Sequence, residues 1–202
     1  NTTPEKYPFK IFINEEVRKN RDNLITRHFS GLLNEKKVIS KNFTRFEFKK
    51  SLNGIKNVNW PARSHLIKKG ILANKIDKDY VIILDGAHNV SGAKALNKVL
   101  SSIDTKWQLI FGYLKTRQPT EFLNELKSIT QKIITTEITG QENSFSSNEL
   151  FKIIQKKGIS VHKSKNLYEA IEIASQNKLN VCICGSLYLA GEFLKKNQTI
   201  PN

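Results

Sequence analysis

Asp85, Gly86, Ala87, His88 and Asn89 follow directly on Val81-Ile82-Ile83-Leu84. Four apolar residues, three of them β-branched, predict a short buried strand. Beyond them Ala93, Leu96, Val99 and Leu100 recur at the spacing of one helical face, so Ser91 to Ser102 reads as a helix. The acid, the glycine and the histidine therefore fall at the carboxyl end of a strand, where a helix takes over. In open parallel α/β sheets ligands bind in that crevice, and the amide groups and positive dipole end of the following helix suit phosphate or carboxylate. The same residues also have a purely structural reading, with Asp85 as the helix cap, Gly86 serving the turn and His88 on the surface.

A second junction of the same kind is Cys184-Gly185-Ser186-Leu187-Tyr188-Leu189-Ala190-Gly191-Glu192, after a strand over Asn180 to Cys184. Gly185 lets the backbone turn closely. Ser186 either caps the next helix or aims its hydroxyl into the crevice that holds Asp85.

The elements that must position these junctions are legible from Trp60 onward. Ser64 to Lys69 reads as an edge strand, with Leu66 apolar between polar neighbours. Val81 to Leu84 is the first buried strand and Trp107 to Gly112 the next. Pro119 opens a helix whose apolar face is Phe122, Leu123, Leu126 and Ile129. Lys132 to Ile138 reads as a strand, Ser147 to Lys157 as a helix with Leu150, Ile153 and Ile154 inward, Ile159 to Val161 as a short strand, and Leu167 to Ala174 as a helix. Strands alternating with helices at this spacing predict an α/β fold: a doubly wound, mostly parallel, Rossmann-like sheet with helices on both faces. Ahead of it, residues 1 to about 40 carry mixed signals, and Phe43, Phe46, Leu52 and Ile55 fit a helix with Asn42 as its cap. The division expected is a linker and remnant of a preceding domain over 1–58, the α/β domain over 59–197 and a tail over 198–202.

Composition bounds the function. At 202 residues, 39% hydrophobic and 25% charged, the chain reads as a globular, cytoplasmic protein, with no apolar run of membrane-spanning length and no signal peptide at its start. The net charge of +15 admits a nucleic-acid or other polyanion surface. Its lysines, however, are scattered among Asn, Ile and Ser with no compact basic run interleaved with aromatics, which favours compositional drift. Cys182 and Cys184 point to one face of a strand and read as small buried apolar residues. The absence of methionine, even at position 1, leads to the expectation that the chain is a segment of something longer or a product that has lost its start.

Four ordered blocks carry a resemblance: Trp60-Pro61-Ala62-Arg63, Leu84-Asp85-Gly86-Ala87-His88-Asn89, Gly112-x-Leu114, and Gly185-Ser186-Leu187-Tyr188-Leu189-Ala190-Gly191-Glu192. With Gly140-Gln141-Glu142-Asn143-Ser144 they resemble the carboxyl-terminal domain of folylpolyglutamate synthase/dihydrofolate synthase, in the Mur ligase superfamily, over about residues 40 to 196. The resemblance implies an ATP-dependent amide ligase that adds glutamate to folate or dihydropteroate through an acyl phosphate, with ATP and Mg2+ as cofactors. Carried over by motif, Arg63 and Asp85 would bind ATP, and His88 and Ser186 would bind glutamate. No catalytic residue and no metal ligand is implied here.

The sequence also departs from that pattern. The phosphate-cradling P-loop, which the family carries in an amino-terminal ATPase domain, is nowhere in these residues. Val90 stands where the family has proline or another helix starter. Lys115-Thr116-Arg117-Gln118 stands where it commonly shows lysine-aspartate, leaving Arg117 to be paired elsewhere, and Ser64-His65 replaces leucine and glutamine or glutamate. The expectation is a carboxyl-terminal ligase domain, inactive alone, whose partner is an amino-terminal P-loop half if that half is encoded separately. The alternatives are a basic polyanion-binding module and a folded remnant of a split gene.

Overall fold

The computed structural model describes residues 61–103 and 106–199. The helix expected around Phe43 to Ile55 and the readings made for residues 1–60 lie outside the described residues.

Among the described residues six strands form one sheet: β1 (His65–Ile67), β2 (Ile82–Leu84), β3 (Trp107–Phe111), β4 (Thr130–Thr135), β5 (Ser160–Lys163) and β6 (Asn180–Cys184). Five α-helices connect or follow them: α1 (Val90–Ser101), α2 (Pro119–Leu126), α3 (Ser147–Gln155), α4 (Leu167–Ser175) and α5 (Leu187–Lys196). The spatial order is β1-β2-β6-β3-β4-β5, all parallel except β1, which pairs antiparallel with β2.

The register explains the long apolar runs in the strands. Leu84, Ile183, Ile110 and Ile134 are paired neighbours in one row across the sheet, and they belong to a buried cluster with Leu167, Ile171, Leu189 and Phe193 of α4 and α5. Ile83, Cys182, Leu109 and Ile133 form the adjacent row, which the period of two turns to the opposite face. That face is covered by α1 and α2, whose Leu96, Val99, Leu100, Phe122 and Leu126 are buried. The ring of Phe122 stacks on Phe111, and the Trp107 indole donates to the Leu100 carbonyl at 3.3 Å. With both faces covered, a central strand has no solvent side to show, so β2, β3 and β6 read as apolar runs, in which the buried Gln108 is bonded to the Ala174 and Leu179 carbonyls and the buried Asn180 accepts from Val81 N–H. Burying each leucine or isoleucine contributes about 1.5–3 kcal/mol before chain entropy is subtracted. Cys182 and Cys184 are free and buried in this packing, as small apolar residues.

Several boundaries differ from those expected. In β1 it is Ile67, not Leu66, that is buried, because the side of this edge strand facing the α4–α5 layer is the one that carries Ile67. β4 ends at Thr135 rather than Ile138: Thr136 N–H bonds to the Phe111 carbonyl and the chain turns away, while Ile138 stays buried and extends the apolar signal past the strand. Helix α3 stops at Gln155 and leaves Ile153 only half-buried, and β5 runs Ser160–Lys163 as a mostly exposed edge.

The far end of α5 is tied to the segment after β1 by Asn197, which is fully buried. Its Oδ1 accepts from Leu72 N–H and Ala73 N–H, both at 2.9 Å, and its Nδ2 donates to the Lys69 carbonyl at 3.0 Å. Gly70, at φ +136°, lies against this amide, where a Cβ would stand 2.2 Å from Nδ2. No helix among the described residues is long and apolar enough to cross a membrane.

Candidate functional site

The loops that follow β2, β3 and β6 meet at one end of the sheet. β6 lies between β2 and β3, and it hands over to α5 on one face while its neighbours hand over to α1 and α2 on the other. Chain segments leaving adjacent strands in opposite directions open a crevice between them. A cavity of about 240 Å³ lies there, lined by His88 from the first loop, Tyr113, Leu114, Thr116 and Arg117 from the second, and Gly185 to Tyr188 from the third.

Asp85 does not cap α1. That helix begins at Val90 and its cap is Asn89, whose Oδ1 accepts from Gly92 N–H at 2.7 Å. The asparagine cap supplies a start signal that Val90 lacks. Asp85 is instead buried, with its backbone N–H bonded to the Ile183 carbonyl. One carboxylate oxygen accepts from Ala87 N–H at 2.7 Å. The other accepts from Ser64 N–H at 2.7 Å and from the Ser64 hydroxyl at 3.3 Å. Burial pushes its pKa up, and the Ser64 and Ala87 donors and the charge of Arg63 offset only part of that rise.

Arg63 is exposed and stands between two residues in left-handed backbone, Ala62 at φ 57° and Ser64 at φ 46°. A non-glycine residue in that region carries about 1–2 kcal/mol of strain, so something must hold both. Two bonds do: Gly86 N–H to the Ala62 carbonyl at 2.8 Å, and Ser64 N–H to Asp85. Since β1 runs antiparallel to β2 with His65 opposite Leu84, Arg63 sits just beyond the carboxyl end of β2.

His88 is half-buried. Its Nδ1 lies 2.8 Å from the Gly86 carbonyl, and its own carbonyl accepts from the Tyr113 hydroxyl at 2.9 Å. Because a carbonyl can only accept, Nδ1 carries the proton in that bond, and the neutral ring keeps its lone pair on Nε2. Ser186 is buried and is the cap of α5, its Oγ accepting from Tyr188 N–H at 3.1 Å. The capping reading of Ser186 is thus correct. A hydroxyl used as an acceptor keeps its proton, and Ser186 also lines the cavity.

The structure therefore brings the four residues singled out from the sequence to one end of the sheet, but not into one cavity. His88 and Ser186 line it; Arg63 and Asp85 form an adjoining pair outside it. Sequence reasoning missed Tyr113, Thr116 and Arg117 as lining residues. The signal available was the basic residue in the loop after Gly112, read there as a charge needing a partner. Among the described residues Arg117 makes no ion pair. Lys115 pairs with Glu149 at 3.0 Å. Burial pushes the Tyr113 hydroxyl pKa up; the nearby charge of Arg117 offsets part of that rise and the charge of Glu121 adds to it. No cluster of three His, Cys, Asp or Glu residues that could hold a metal ion occurs among the described residues.

The family model described as dihydrofolate synthetase, C-terminal domain, matches residues 68–196. A probable dihydrofolate synthetase of Schizosaccharomyces pombe is 25% identical over 157 residues, covering 71% of this chain and 36% of that protein. Among solved structures, folylpolyglutamate synthase of Mycobacterium tuberculosis, complexed with ADP and AMPPCP, superposes with a TM-score of 0.66 at 19% identity over 78% of this chain and 37% of that one. Folylpolyglutamate synthetase of Helicobacter pylori gives 0.62 at 18% identity over 98% of this chain and 46% of that one. The fold is that of these ligases, and the chain spans between about a third and a half of the length of these relatives.

Proposed function

Because this chain belongs to the dihydrofolate synthetase C-terminal domain family, we propose that it supplies the glutamate-binding half of the cleft of an ATP-dependent amide ligase. In the reaction implied, a carboxylate of the folate or dihydropteroate acceptor is activated as an acyl phosphate and the amine of glutamate displaces phosphate. The P-loop that would hold the nucleotide phosphates is not among these 202 residues. The relatives are longer single chains, so they favour an ATPase half on the same polypeptide and lend no support to a separately encoded one.

In this reading the described residues divide the work. Arg63, exposed on a turn that Asp85 and Gly86 brace, offers its guanidinium to a nucleotide phosphate, where two charge-assisted bonds form at once. Asp85 orients that turn without touching the ligand. His88 and Ser186 hold the incoming glutamate in the adjoining cavity. The observation that carries the proposal is the adjacency itself: a braced, exposed arginine beside a cavity whose volume, about 240 Å³, lies below the roughly 300–1,000 Å³ of pockets for drug-sized ligands and suits an amino acid better than a nucleotide or a pterin.

The direct test is to incubate the 202-residue chain with ATP, Mg2+, glutamate and a folate. No phosphate release above background is expected, and robust turnover would show that the nucleotide chemistry resides in this half after all.

A further inference from the structure

Two stretches that carry the resemblance, Gly140 to Ser144 and the end of the block that closes on Glu192, take no part in the cavity wall. The fold joins them. Glu192 lies on α5 a turn beyond the lining residue Tyr188, and its side chain is only 10% exposed. One carboxylate oxygen accepts from Thr139 N–H at 3.0 Å. The other accepts from the Thr139 hydroxyl at 2.8 Å and from Lys196 Nζ at 2.6 Å. Beyond Thr139 the chain folds back on itself, since the buried Ser144 hydroxyl accepts from Ile138 N–H at 3.0 Å and Ser144 N–H bonds to the Gln141 carbonyl. Residues 143–145 then run antiparallel along 113–115, with Lys115 N–H on the Asn143 carbonyl at 2.7 Å, Phe145 N–H on the Tyr113 carbonyl at 2.9 Å, and Leu114 opposite Ser144. Tyr113 and Leu114 open the β3-loop wall of the cavity, while Ser186 to Tyr188 at the start of α5 form another wall.

Resting on the glutamate reading above for what the cavity holds, we propose that Glu192 is a positioning residue: through Thr139 and the 138–145 excursion it fixes the β3-loop wall relative to the α5 wall. A carboxylate mostly withdrawn from water that takes both donors of one threonine is a firmer tie than an exposed ion pair. Glu192 touches no ligand. Its effect is to have the wall in place beforehand, so that binding does not bear the cost of ordering a loop. Lys196 shares the carboxylate but belongs to the same helix and lies over the Tyr168 ring, 4.9 Å from its centroid, so its bond carries nothing to the excursion.

The test is amide NMR on the full 202-residue chain, first ligand-free and then titrated with L-glutamate, for wild type, Glu192→Ala, Glu192→Gln, Thr139→Val and Lys196→Gln. Glu192→Ala should displace the Tyr113 to Arg117 amides in the ligand-free chain and weaken the glutamate dissociation constant about tenfold. Glu192→Gln should recover most of both, because its amide oxygen can accept from Thr139 N–H while its NH2 donates to the hydroxyl. Lys196→Gln should match wild type in both. Thr139 is exposed, so Thr139→Val, which removes only the hydroxyl bond, reads the same tie in a smaller shift should Glu192→Ala fail to fold. Unmoved Tyr113 to Arg117 amides in the Glu192 and Thr139 variants, or a Lys196→Gln effect as large as that of Glu192→Ala, would overturn the proposal. If those amides move but wild type shows no shifts with glutamate, the tie is real and the glutamate reading is what fails.

Discussion

The two strand-to-helix junctions at the ligand end of the sheet look alike in sequence and are built differently. After β2 the chain takes five residues, Asp85 to Asn89, before α1 begins, and the last of them does the capping. After β6 it takes only two, Gly185 and Ser186, so the cap and the cavity-lining hydroxyl are the same side chain. The longer junction frees Asp85 to brace the Arg63 turn and His88 to face the cavity. In the shorter one, structure and recognition rest on one oxygen, and any change there affects both.

The glycines differ in the same sense. Gly185 is at φ +107° with the Gly112 carbonyl oxygen 2.4 Å and the Phe111 ring 2.8 Å from where a Cβ would lie; neither backbone nor a packed ring can yield. Gly185→Ala should therefore have the largest effect, roughly 3 kcal/mol from left-handed strain and overpacking together, read as a lower denaturant midpoint. A near-neutral result would mean the short junction is slack.

Next comes Asp85→Asn. An amide cannot accept with both of its heavy atoms, so a buried N–H of Ser64 or Ala87 loses its partner, at about 2 kcal/mol. The pH profile distinguishes this from simple damage. Burial raises the folded-state pKa of Asp85 above its ordinary 3.8, so the folded chain holds that proton more tightly than the unfolded one. The stability this group contributes is complete below the unfolded value and declines as pH rises through the folded one. Asp85→Asn should remove that decline, and an unchanged slope would show that Asp85 is not its source. Glu149 behaves oppositely: the Ser146 and Lys115 donors lower it from 4.5 to about 2, so its contribution is present above 4.5 and lost as pH falls toward 2.

The cap variants separate the junctions most cleanly. Asn89→Ala and Ser186→Ala should each lose about 1 kcal/mol of stability. Only Ser186→Ala should also weaken glutamate binding, since Asn89 is absent from the cavity wall. Equal binding by both variants would erase the distinction drawn between a divided and a shared role. Smallest is Gly86→Ala. Its Cβ would meet Leu187 Cδ2 at 2.1 Å, but that is the end of a flexible, half-exposed side chain, so about 1 kcal/mol or less is expected in thermal unfolding.

What could be read from the sequence follows from where local rules suffice. The strands beginning at Val81, Trp107 and Asn180 were legible because both faces of the sheet are covered and apolar runs have no other use. Pro119 at the first position of α2 and Ser186 as a cap follow from backbone chemistry alone. Asp85 has a structural reading as the helix cap, and the cap is Asn89 instead. The partner of Asp85, Ser64, is 21 residues away, in a turn whose left-handed backbone no propensity predicts. Arg117 reads as a charge to be paired elsewhere, but that its loop lies beside His88 depends on β6 inserting between β2 and β3, a long-range fact without a local signature.

The central claim is that the junctions after β2 and β6, together with the loop after β3, form one amino-acid site. Mapping amide shifts along the chain during a titration with L-glutamate tests it most directly. The account predicts shifts concentrated at Gly86 to Asn89, Thr116 to Arg117 and Ser186 to Tyr188, with β5 and α3 silent. Shifts that gather instead on β5 and α3, or that reach only one of the two junctions, would contradict it.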